Sequence, residues 1–239
     1  MRMTLTPELV ARVERLEADP GDAFGSADLS EASCEVWCRR LLSERPADQP
    51  LWVFAYGSLI WNPVFAPAEE AAAIVHGWYR AFSLRLTRWR GTPERPGLML
   101  ALDRGGSCRG VAYRIAEPDV QEALRALLLR ELSEDPCANL PRWVQVRTAA
   151  GEKLSALTFA VDRKADDYAG RLDEETIATT LATAAGHWGS CADYLYRTVQ
   201  QLESRGIRDR RLWRLQDRVA EIIRELPSDF LVAQSGVSQ

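Results

Sequence analysis

The feature that most constrains this chain is a change of period at Leu51. Before it, apolar residues recur at helical spacing. After it, short apolar runs rich in β-favouring residues alternate with turn signals. The runs are 51–56 (LWVFAY), 77–87, 98–102 (LMLAL), 108–115, 142–148 and 154–161. GTPERPG at 91–97, DRGG at 103–106 and AAGE at 149–152 read as turns between them. One helix interrupts the series at about 118–131, with Val120, Leu124, Leu127 and Leu128 in helical register, and three more close the chain near 173–185, 191–205 and 209–225. Six short strands joined mostly by turns, with few helical crossovers, predict an α+β fold. The expected core is a largely antiparallel sheet or barrel of about six strands.

Residues 6–18 predict a helix that Thr6 caps and Pro7 opens, with Leu9, Val13 and Leu16 on one face. A second helix is expected at about 30–44, with Val36, Trp37, Leu41 and Leu42 as its apolar side, and RPADQP at 45–50 has linker composition. The division expected is a helical N-terminal extension at 1–50, a main domain at 51–227 and a tail at 228–239 that frays.

A formal net charge of −4 disfavours a dedicated nucleic-acid binder. In RDRRLWRLQDRVAEIIREL, Arg210, Arg211, Arg214 and Arg218 interleave with Asp209, Asp217 and Glu221, the pattern of a solvated, salt-bridged helix face. No apolar run reaches the roughly 18 residues of a membrane-spanning helix, and the N-terminal stretch lacks the apolar centre of a signal peptide. The five cysteines, Cys34, Cys38, Cys108, Cys137 and Cys191, are scattered, and with His76 and His187 they form no zinc-type spacing. A reducing cytoplasm is the expected location. GSCRG at 106–110 lacks the ending of a phosphate loop, and no histidine adjoins Cys108 or Cys137 to activate a thiol.

The stretch richest in chemistry is WVFAYGSLIWNPVF at 52–65, where an apolar strand runs straight into Tyr56-Gly57-Ser58-Leu59. Glycine permits a tight turn whose successive N–H groups can converge on one anion such as a carboxylate. On residue type alone a plain turn is the favoured reading. Likewise Glu131, Glu134 and Asp135 all read as solvated carboxylates near a helix end, and Tyr56 and Tyr194 as core aromatics with a polar tip.

The segment VFAYGSLIWNP resembles the signature of ChaC-type γ-glutamylcyclotransferases. Further matches follow in the same order: RGTPERPGLMLALDRGGSCRGVAYRI at 90–115, YAG at 168–170 and GHWGSCADYLYRTVQQLESRGIRD at 186–209. The resemblance spans roughly 51–225 and implies a γ-glutamylcyclotransferase-like barrel that works without metal or organic cofactor. It implies that Val53, Phe54, Ala55, Tyr56, Gly57, Ser58 and Leu59 form the substrate loop, with Tyr194 as a further contact. Glu131, which follows an arginine near a helix end, takes the place of the essential carboxylate.

The implied reaction needs only one carboxylate, because the substrate's own α-amine closes a five-membered lactam on its γ-carbonyl. A glutamate can take the amine's proton and hand it to the departing amine, while backbone amides or the hydroxyl of Tyr56 or Tyr194 face the oxyanion. The partner implied is a small γ-glutamyl compound, glutathione first, with no nucleic acid or membrane, for a monomer or weak homodimer. The pattern is broken at LSEDPCANL, which lacks the Gly and Tyr usual after the glutamate, and at Cys191 and Asp193, which replace Asn and Glu. These departures leave room for another γ-glutamyl amine as substrate, or for a non-catalytic protein on the same fold that binds a γ-glutamyl ligand or a protein.

Overall fold

A computed structural model describes residues 2–15, 17–19, 21, 28–133 and 137–227. Expectations at Leu16, at Glu134 and Asp135 and for the 228–239 tail lie outside them. The chain divides into two compact units, each built from separated stretches. One takes the described residues of Met1–Phe24, Phe82–Met99 and Ala169–Gln239, the other those of Gly25–Ala81 and Leu100–Tyr168. The stretch 1–50 therefore contributes to both.

The second unit holds α2 (Glu31–Glu44), β1 (Trp52–Ala55), the body of β2 (Glu69–Leu86) and of β3 (Gly97–Arg114), α3 (Val120–Glu131), β4 (Asn139–Thr148) and β5 (Lys153–Val161). Its sheet is a closed barrel in the order β1-β3-β2-β4-β5. β1 runs antiparallel to β3 with Val53 opposite Tyr113, β2 to β4 with Ile74 opposite Arg147, and β4 to β5 with Trp143 opposite Leu157. A parallel contact between Val53 and Leu157 closes the ring. Phe54, Tyr113, Phe159, Leu124, Leu127 and Leu128 are almost wholly buried here. Each such side chain contributes about 1.5–3 kcal/mol of burial.

The barrel has five strands rather than six, because the runs at 98–102 and 108–115 are halves of one strand, β3. DRGG does not break it: the strand runs on through Gly105 and Gly106, at φ 115° and 62°, where glycine has the freedom to follow it. β2 starts at Glu69, eight residues before the predicted strand. The helix-forming EEAAAIVH sequence is overridden by pairing, since Ala73, Ile74 and Val75 face Thr148, Arg147 and Val146.

In the other unit, α1 covers only Pro7–Val13, with the Thr6 hydroxyl accepting from the Leu9 N–H. α1 packs with α5 (Cys191–Ser204) and α6 (Arg210–Glu225), beside α4 (Glu174–Thr183) and a small ribbon of Ala185–Gly186 with Gly189–Ser190. The fully buried Gln216 accepts from the N–H groups of Thr4 and Leu5 at 3.0 and 2.8 Å, which ties the N-terminal segment to α6. On the opposite face Arg214 pairs with Glu174, and Arg218 with Glu175 and Glu221, as the interleaved charges predict.

Candidate active site

The four residues of β1 are buried, and at Gly57 the chain enters a single 3-10 turn, Ser58–Ile60. Ile60 N–H bonds to the Gly57 carbonyl at 3.0 Å, and the N–H groups of Trp61 and Asn62 bond to the Ser58 carbonyl at 3.1 and 2.8 Å. The first N–H groups of such a turn cannot be satisfied by the turn itself. They are left for another acceptor.

Three features hold this corner rigid. The buried guanidinium of Arg80 donates to the Tyr56 carbonyl at 2.9 Å and, through its other terminal nitrogen, to the Arg109 carbonyl. The Thr158 hydroxyl donates to the Phe54 carbonyl at 2.9 Å. Gly110 packs so closely that a Cβ there would stand 2.3 Å from the Ala55 carbonyl oxygen. Because a trans peptide sets its C=O and N–H on opposite sides, drawing the Tyr56 carbonyl towards Arg80 points the Gly57 N–H the other way.

Glu131 is the last residue of α3, which the Leu132 N–H closes onto the Leu128 carbonyl. Its carboxylate is 12% exposed and stands 3.4 Å from Arg130 Nε. The same guanidinium donates to the Asn62 carbonyl. Since the Asn62 N–H itself closes the turn onto Ser58, Arg130 links the carboxylate to the 58–62 corner. Asn139, the first residue of β4, donates from Nδ2 to Glu131 Oε2 at 3.4 Å. Burial pushes the Glu131 carboxyl above its ordinary range, and the positive charge of Arg130 draws it back only in part. A sheltered carboxyl with a raised pKa is suited to exchanging protons near neutrality.

Of the residues the sequence singles out, 53–59 and Glu131 lie in this one unit. The side chains of Val53, Phe54 and Ala55 are core, with 1% exposure or less. Tyr194 belongs to the other unit. There it packs edge to face with Phe82, ring centroids 6.2 Å apart, while the Arg90 guanidinium lies 5.6 Å from its ring centroid. Arg90 also donates to the Ser190 carbonyl and pairs with Asp193. Cys191 is wholly buried, its thiol donating to the carbonyls of Arg90 and Leu98 at 3.1 and 3.6 Å.

Sequence reasoning assigned nothing to Arg80, Arg130 or Asn139. Arg80 carried one weak signal, a cation within a strand run that also holds Arg85. Asn139 carried none, because its role depends on where α3 ends.

The fold and the site define an α+β barrel protein with one sheltered carboxyl set against a strand-to-turn corner. Residues 51–222 match the family described as ChaC-like protein, and the chain belongs to that family. It is 37% identical over 205 residues to the glutathione-specific gamma-glutamylcyclotransferase of Escherichia coli (strain K12), covering 84% of this chain and 88% of that one. It is 32% identical over 181 residues to gamma-glutamylcyclotransferase 2-3 of Arabidopsis thaliana, covering 73% and 91%. The crystal structure of a γ-glutamyl cyclotransferase specific to glutathione from yeast aligns with a TM-score of 0.64, over 73% of this chain and 100% of that one. At 22% identity this is a likeness of fold.

Proposed function

We propose that this chain is a γ-glutamylcyclotransferase that cleaves glutathione in the cytoplasm, releasing 5-oxoproline and Cys-Gly. The observation that carries the reading is the largely buried Glu131 carboxyl, raised in pKa and joined through Arg130 to the corner at 58–62. The name of the Escherichia coli relative points to the same substrate.

In this reaction Glu131 takes one proton from the α-ammonium of the γ-glutamyl group. The freed amine attacks the γ-carbonyl carbon, the new C–N bond closes the lactam, and the carbonyl oxygen becomes an oxyanion that turn amides face. The ring nitrogen sheds its second proton, and collapse of the intermediate breaks the bond to the cysteine nitrogen; that nitrogen takes up the proton Glu131 returns and then the shed one, leaving as an ammonium while the lactam keeps a single N–H. No water is consumed, and the carboxylate is regenerated. The segment 53–59 supplies backbone donors for the γ-glutamyl part. The reading calls on residues of one unit alone.

The test is 5-oxoproline release from glutathione and from a panel of γ-glutamyl amines. Glu131→Gln should lose at least about 100-fold in rate, the scale of removing a general base. Absence of product from every substrate would overturn the reading, and activity that survives the substitution would move the base elsewhere.

A further inference from the structure

Asn139 is 7% exposed, and its Oδ1 has no hydrogen-bond partner among the described residues. Its backbone is fixed: it sits opposite Val161 on β5, and its carbonyl accepts from the Cys137 thiol at 3.4 Å. The direction of the amide is set by its neighbour. A carboxylate at Glu131 only accepts, so Nδ2 faces it, at 3.4 Å, and Oδ1 takes the amide's other direction, with no donor to it among the described residues. Leaving an acceptor buried and unused is costly, and such groups in folded proteins call for an explanation. A ligand donor would supply one. The donor that suits a position shared by a carboxylate and an amide oxygen is a cationic amine, which brings three N–H groups and no acceptor.

We propose that Asn139 Oδ1 accepts a hydrogen bond from the α-ammonium of the bound γ-glutamyl group, beside the carboxylate that removes its proton. Asn139 thereby touches the substrate and selects for a free α-amine. One N–H of the ammonium goes to Glu131 and is transferred; a second stays on Asn139 Oδ1 and holds the nitrogen while it becomes a nucleophile. The inference rests on the γ-glutamyl reading of the site and adds to it a residue from the LSEDPCANL turn, where this chain departs from its family's pattern.

The experiment is a cycle in ligand and protein. An uncleavable γ-glutamyl ketomethylene analogue of glutathione and its des-amino glutaryl counterpart are titrated by calorimetry into wild type, Asn139→Leu, Asn139→Ala and Asn139→Asp, with thermal unfolding of each variant recorded. Asn139→Leu and Asn139→Ala should shrink the preference for the amine-bearing ligand by about tenfold or more, the worth of a hydrogen bond to a charged group. Asn139→Asp keeps an acceptor and should retain it. A general packing role would weaken both ligands alike and leave the preference unchanged, which overturns the proposal. Turnover of glutathione by wild type is followed separately. If turnover is absent but the preference tracks residue 139, the enzyme reading fails and Asn139 stands; if wild type turns glutathione over but the preference ignores residue 139, Asn139 fails alone. A wild type that binds neither ligand sinks both.

Discussion

Arg130 Nε lies 3.4 Å from Glu131 Oε1 while another nitrogen of the same guanidinium donates to the Asn62 carbonyl. One side chain thus supports the corner and tempers the charge of the carboxyl. Its charge is the influence that lowers the Glu131 pKa against burial. Arg130→Met should therefore raise that pKa further. The base works as a carboxylate, so the acidic limb of the kcat/KM profile against glutathione should move to higher pH and the rate along that limb should fall. A limb that stays put would show that Arg130 only braces the turn.

Stability should carry the opposite sign from the usual acidic residue. With its pKa raised by folding, Glu131 holds a proton in the native state over a range where the unfolded chain has released it. Its contribution is whole below the ordinary carboxylate pKa and is lost as pH rises through the folded value. Glu131→Gln stays neutral at every pH. Its melting temperature relative to wild type should increase from pH 4 to pH 8, and a difference that is flat or falls with pH contradicts the assignment.

The corner at 54–57 is held by Arg80, by Thr158 and by the close approach of Gly110. Arg80→Met strips hydrogen bonds from the carbonyls of Tyr56 and Arg109. At about 1–3 kcal/mol for each group left unsatisfied, the loss should be about 2–6 kcal/mol in denaturant unfolding. Gly110→Ala would force a Cβ to within 2.3 Å of the Ala55 oxygen and should cost at least about 2 kcal/mol. Either variant remaining within about 0.5 kcal/mol of wild type would show that the corner does not need these contacts.

The thiols should react in a defined order. Cys34, Cys108 and Cys191 are buried, burial pushes the Cys191 thiol up to about 11, and the half-buried Cys38 is also pushed up to about 11. At pH 8 an aromatic disulfide reagent should modify Cys137 first. Cys191 should react only after unfolding, because the reagent needs an accessible thiolate. Mass mapping of the labelled sites checks the order, and fast native labelling of Cys191 would contradict its burial.

Much was legible in the chain itself. Helices α2 to α6 follow apolar spacing and their caps. Ser30, Asp173, Ser190 and Asp209 each accept from the first turn of the helix that follows. The strand-to-turn corner at 52–59 and the helix ending at Glu131 were readable for the same reason: period and turn chemistry are local properties, carried by residues close in sequence.

Tertiary structure decided which side chains face the corner. Along β2 the buried positions are Ala73 and Val75, then Arg80: the alternation shifts by one at Gly77, whose φ of 82° puts a bulge in the strand. Without that shift Arg80 would point away from Tyr56. Asn139 meets Glu131 only because β4 starts where α3 has just ended, and Arg130 reaches Asn62 across 68 positions of sequence. Sequence patterns record the period of an element and the residues that end it. They do not record the one-residue offsets and long-range closures that pair one element with another, and the Glu131 site is built from these.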